Sequence, residues 1–101
     1  MELVDEVYAF CDRYPQVERH GLWSQTTRAA VSIPSNIAEG SGRSTVKESV
    51  RFLSIARGSL YELSTQLEIA ERRSYGVVSE RIKTLTDEIA RMLTRMLARK
   101  A

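Results

Sequence analysis

Residues 45–73 read TVKESVRFLSIARGSLYELSTQLEIAERR, and their spacing decides the fold class. Val50, Leu53, Ala56, Leu60, Leu63, Leu67 and Ala70 step by three and four. That step stacks side chains on a single helix face. Thr45 and Glu48 open the run as a capping box, in which the threonine hydroxyl accepts from the N–H three residues on and the glutamate reaches back to the threonine N–H. The spacing predicts one helix over about 46–73, about 40 Å long at 1.5 Å per residue.

The same period continues on both sides. Beyond a turn marked by Tyr75-Gly76, Ser79 is placed to cap a helix over about 80–99. Its core stripe is Ile82, Leu85, Ile89, Met92, Leu93, Met96 and Leu97. Upstream, Leu22, Thr26, Ala29, Ala30, Ile33, Ile37 and Gly40 share one face of a helix that ends at Gly40-Ser41-Gly42. Pro34 lies inside that pattern. It removes a backbone donor and crowds the carbonyl four residues back, so a kink is expected, with Ser32 and Ser35 beside it to satisfy freed backbone groups. A break into two helices at Ile33-Pro34 is the alternative. Leu3, Val4, Val7, Tyr8, Cys11 and Tyr14 make a first helix over about 2–13, stopped by Tyr14-Pro15. Four helices with short connections run up-down-up-down. The expected fold is therefore all-α, an antiparallel four-helix bundle with a kinked second helix, in one domain over residues 1–101.

Composition agrees with a globular chain: 43% hydrophobic, 28% charged and only two prolines in 101 residues. No apolar run approaches the ~20 residues that span a bilayer, so no membrane partner is expected. The lone Cys11 sits among apolar residues and reads as a buried thiol. With an acidic start unlike a signal peptide, this points to the cytoplasm. The net charge is only +2, but it is unevenly spread: residues 1–18 carry one basic and five acidic side chains, and residues 79–101 six basic and three acidic.

Ser54, Ile55, Gly58, Thr65 and Ile69 lie away from the core stripe of the third helix. Thr27, Val31, Pro34 and Ala38 do the same on the second. A glycine inside a helix costs about 1 kcal/mol. Small residues repay that cost where another helix approaches closely, so these positions are the expected homo-oligomer interface.

Catalytic chemistry finds little support. His20 is the only histidine, which leaves no metal-ligand spacing and no triad. No cofactor is expected. Ser41-Gly42-Arg43-Ser44 precedes a helix N-terminus, where a phosphate can bind, but it lacks the Walker lysine. Glu62 and Gln66 stack on one helix face as a solvated or interface pair. The basic residues say more. Arg91, Arg95 and Arg99 recur every four residues opposite the core stripe of the fourth helix. Lys47 and Arg51 do so on the third, with Arg43 just before. Such rows suit a nucleic-acid backbone, RNA or DNA, without base preference. Asp87, four residues before Arg91, is spaced for a helix salt bridge. No aromatic interleaving for base stacking is evident.

The runs Ala30-Val31-Ser32-Ile33-Pro34-Ser35-Asn36-Ile37-Ala38-Glu39-Gly40 and Phe52 to Ala70 resemble the four helix bundle protein family, also called 23S rRNA intervening-sequence proteins. That family is similar to the accessory variability determinant of diversity-generating retroelements. The resemblance covers nearly the whole chain. It implies a four-helix protomer with a longer first helix than the one read here, and a ring-shaped homopentamer. For retroelement relatives it implies binding of a reverse transcriptase and of nucleic acid through a basic outer surface. Arg28, Arg43 and Arg57 fall within or beside the matched runs, as phosphate ligands or as ion-pair partners of Glu39 or Glu62. Arg13 and His20 superficially match the Arg-to-His spacing of HEPN-type ribonucleases, but Pro15 intervenes.

Overall fold

The computed structural model describes residues 1–100, and these fold into four α-helices with no strand. Helix α1 is Glu2–Cys11, α2 is Leu22–Ser41, α3 is Val46–Arg72 and α4 is Glu80–Arg99. A single 3-10 turn, Gln16–Glu18, lies between α1 and α2. Each helix touches its neighbours in the order α1–α2–α3–α4–α1, and the diagonal pairs do not meet. Every connection between consecutive helices is short, so neighbours run antiparallel. The long axis of 43 Å is set by the 27 residues of α3.

Termini form where the side chains dictate. Thr45 Oγ1 accepts from the Glu48 N–H at 3.2 Å, and Ser79 Oγ accepts from the Ile82 N–H at 3.1 Å. The return bond from the Glu48 carboxylate is not among the hydrogen bonds formed. Helix α2 has a cap that spacing did not reveal. Glu18 Oε1 accepts from the Leu22 N–H at 3.1 Å, while its Oε2 accepts from the Tyr75 hydroxyl at 2.8 Å. One carboxylate thus ties the α1–α2 connection to the α3–α4 turn. Both bonds favour the ionised form, Tyr75 first, and they lower the Glu18 pKa.

The core follows the expected stripes. Leu3, Val7, Ile33, Leu53, Leu63 and Leu93 are fully buried. Each such side chain contributes about 1.5–3 kcal/mol relative to exposure. The Cβ that Gly40 lacks would lie 3.1 Å from Leu53 Cγ and 3.2 Å from the Ser49 carbonyl. Gly40 is therefore a packing residue where α2 and α3 approach, just before the helix ends at Ser41 with Gly42 as its cap.

Helix α2 is continuous through Pro34, as expected, and the two-helix alternative fails. Two expectations change. The flanking serines do not serve the Ala30 carbonyl freed by the proline. Ser35 Oγ donates to the Val31 carbonyl at 2.9 Å, and Ser32 Oγ shares a hydrogen bond of 2.8 Å with Ser59 Oγ. Helix α1 ends at Cys11, two residues early. In the turn after α3 the residue with left-handed geometry is Ser74, at φ 62°. The Tyr75 N–H donates to the Ala70 carbonyl at 2.9 Å and the Ser74 N–H to the Glu71 carbonyl at 3.0 Å, a Schellman closure. Gly76 is needed for a different reason: a Cβ there would lie 2.9 Å from the Phe10 ring.

Two outcomes follow. Ser74→Gly relieves the left-handed strain and should raise unfolding stability by about 1 kcal/mol, whereas Gly76→Ala should lower it, both read from urea melts. Glu18 has a lower pKa folded than unfolded, so the unfolded chain binds more protons in the window between the two values. Its stabilisation is complete above the ordinary carboxylate pKa, about 4.3, and is lost as pH falls through the lowered folded value. Tyr75→Phe should flatten the fall in stability across that acid window, measured by urea melts at successive pH values.

Candidate nucleic-acid interface and subunit face

Helices α2, α3 and α4 bring most of the expected basic residues to one end of the bundle. The end of α2 and the start of α3 meet there, and α4 returns to the same level by running antiparallel to α3. Arg43, Lys47, Arg51, Arg91, Arg95 and Arg99 are all exposed.

Arg43 and Arg51 come together around an aromatic ring. Each guanidinium lies 4.7 Å from the centroid of the half-buried Phe52. This cation–π arrangement engages the ring with the chain's own arginines and does not make it a free stacking surface for a base. Arg43 also pairs with Glu39, four residues back on α2, which partly neutralises it. Arg43 is thus engaged by Glu39 and Phe52 while its side chain stays 38% exposed. Arg51 and Lys47 make no ion pair among the described residues. A second pair of this type sits at the other end, where the Arg19 guanidinium is 4.6 Å from the Trp23 ring.

On α4, Arg91 and Arg95 border a shallow, mainly apolar depression with Ala90 and Thr94. Arg99 follows one turn later. The Asp87–Arg91 bridge suggested by spacing does not form; the ion pairs among described residues are Glu39–Arg43, Glu68–Arg72, Glu2–Arg81 and Glu80–Lys83. Arg91, Arg95 and Arg99 therefore keep their donors for solvent or a ligand. Glu2–Arg81 is bidentate, at 2.7 and 2.6 Å, and ties α1 to α4.

The positions expected at a subunit contact are exposed together. Ser54, Ile55, Gly58, Thr65 and Ile69 all face solvent on α3, with Ile55 and Ile69 each 42% exposed. Gly58 faces open space, since a Cβ there would meet nothing within 4 Å. Tyr61, 56% exposed, joins this surface and was not anticipated. On α2, Val31 and Ala38 are exposed and Pro34 is half-buried. Thr27 departs from expectation: it is buried, and its hydroxyl donates to the Trp23 carbonyl at 2.9 Å. A short polar side chain satisfied by its own helix can face the interior. Arg28 and Arg57 form no ion pair with Glu39 or Glu62; Glu39 is held by Arg43.

The candidates for catalysis do not assemble. Arg13 and His20 lie in turns, outside the helices. Cys11 is buried, and burial pushes its thiol up to about 11, far from a reactive thiolate. No group of three His, Cys, Asp or Glu residues able to hold a metal ion occurs among the described residues. No helix is long and apolar enough to cross a membrane.

No curated protein matches the chain. The family model of the 23S rRNA-intervening sequence protein matches residues 1–95, nearly the full length and all four helices up to the last turn of α4. With the bundle and the two helical runs that carry the resemblance both in place, the chain belongs to the 23S rRNA-intervening sequence protein family.

Proposed function

We propose that this protein acts without catalysis, as a cytoplasmic homo-oligomer that holds RNA or DNA by its backbone. The oligomer proposed is the ring-shaped homopentamer implied by the family resemblance. The observation that carries the nucleic-acid reading is the set of unpaired arginines on α4. Arg91, Arg95 and Arg99 stand in a row, exposed, with no carboxylate of the described residues spent on them. Lys47 and Arg51 add charge at the same end, and the Arg43–Phe52–Arg51 stack stiffens two of the donors. A ring would repeat these rows around its rim, and weak contacts repeated in one particle add steeply in avidity.

Fluorescence anisotropy with a generic single-stranded RNA tests the reading. Affinity should fall steeply with salt. Reversing Arg91, Arg95 and Arg99 to glutamate should lower the log–log salt slope by about 2, at roughly 0.7 per phosphate contact. Binding that survives this triple reversal, or none at low salt, would exclude the proposal. The RNA should stay intact throughout.

The exposed Tyr61, Ile55 and Ile69 favour a second reading, a protein-interaction scaffold such as an accessory subunit of a reverse transcriptase. Capture of that enzyme would then survive nuclease treatment.

Self-association has its own test at Gly58. Alanine there gains helix propensity, about 1 kcal/mol, with no clash inside the chain. Gly58→Ala should raise the stability of the folded chain yet weaken assembly on size exclusion, because the added methyl stands where another helix must approach.

A further inference from the structure

Outside the core, α2 and α3 each carry a second stripe at heptad-like spacing. On α3 it is Ile55, Gly58, Glu62, Thr65 and Ile69, all exposed. On α2 it is Ser24, Arg28, Val31, Ser35 and Ala38, exposed except for the half-buried Ser24. Steps of three and four produce the seam that one helix offers another in a coiled coil. Each stripe is small or apolar save for one charge, and the two charges are opposite.

Between the stripes runs a groove walled by Gln25, Arg28 and Ser32 on α2 and by Ser59, Glu62 and Gln66 on α3. The Ser32–Ser59 hydroxyl bond is the polar link across it. Arg28 and Glu62 border this groove from opposite helices, yet neither enters an ion pair among the described residues. Gln66 is only 9% exposed, and its side-chain oxygen is buried without a donor. A buried acceptor left unmet is costly and calls for a partner. The single chain therefore leaves one cation, one anion and one buried amide oxygen unanswered along the same groove.

We propose that the occupant is a second copy of this chain: the α2 stripe of one copy packs on the α3 stripe of the next, and Arg28 pairs with Glu62 across that contact. The inference rests on the self-association proposed above and supplies the residues that set its register. Charge complementarity selects a second copy, because each stripe bears the counter-charge of the other. A polar residue amid an apolar seam fixes register and partner at some cost in stability. Two unlike stripes make a head-to-tail contact, which closes a ring when the rotation per subunit allows.

Sedimentation velocity at micromolar concentration, with circular dichroism as the check on folding, tests the pair. The wild-type chain should sediment as an assembly. Arg28→Glu and Glu62→Arg should each weaken association at least tenfold and leave folded 11.5 kDa chains. The double variant R28E/E62R restores opposite charges and should assemble again. Single variants that assemble like wild type, or a folded double variant that stays monomeric, overturn the Arg28–Glu62 contact while leaving self-association standing. A monomeric wild-type chain overturns both. Should Arg28→Glu not fold, Arg28→Gln and Glu62→Gln take its place, and unchanged association in both is again contrary.

Discussion

The close approach of α2 and α3 is the constraint on which the rest of the molecule depends. Gly40 has no room for a side chain against Leu53 and the Ser49 backbone. Ala29, Ala30 and Ala56 are buried along the same two helices, and Ser32 meets Ser59 hydroxyl to hydroxyl. Small residues bring the two backbones together, and the larger Ile33, Leu53 and Leu60 then fill the space toward α1 and α4. Interiors packed at crystal-like density tolerate little change at such a seam. α1 and α4 complete the core from the other side, fastened to each other by Glu2–Arg81, while Glu18 and Tyr75 tie the α1–α2 connection to the α3–α4 turn.

The same seam has an outer side, and its chemistry differs. Inside, the large side chains are mostly apolar and covered. Outside, the helices show isoleucine, valine, tyrosine and glycine to solvent beside an arginine and a glutamate that ignore each other. A solitary bundle gains nothing from Gly58 at an exposed helical position, since alanine would serve the helix better by about 1 kcal/mol. Scattered apolar residues on a surface are ordinary. Their alignment in register on two touching helices, with a buried amide oxygen between them, is what sets this face apart.

The fold was largely legible because helical period and capping chemistry are local. Thr45 and Ser79 cap as their types require, and the core stripes of α2, α3 and α4 line the interior, while on α1 Tyr8 is exposed and Phe10 is buried in its place. What escaped the sequence depends on distance across the chain. Glu18 caps α2 and receives Tyr75 from 57 residues away, which no local pattern encodes. Gly76 looked like a turn glycine, but Phe10 of α1 is what excludes its side chain, and Ser74 carries the left-handed geometry. Of three carboxylates spaced four residues before an arginine, Glu39 and Glu68 pair and Asp87 does not. The exposed stripe of α3 was legible from the wheel, yet Thr27 of α2 was misplaced because a threonine bonded to its own helix can hide its hydroxyl. The arginines of α4 were found by spacing; the Arg43–Phe52–Arg51 stack needed the meeting of α2 and α3.

If the outer face of the α2–α3 seam is built for another copy, the mass of the folded wild-type chain in solution must show it. Sedimentation equilibrium across the micromolar range should return a multiple of 11.5 kDa, five being the multiple for the proposed ring. A stable, fully helical particle of 11.5 kDa at every concentration would mean that the seam's outer surface is simply wet, and the account would fail.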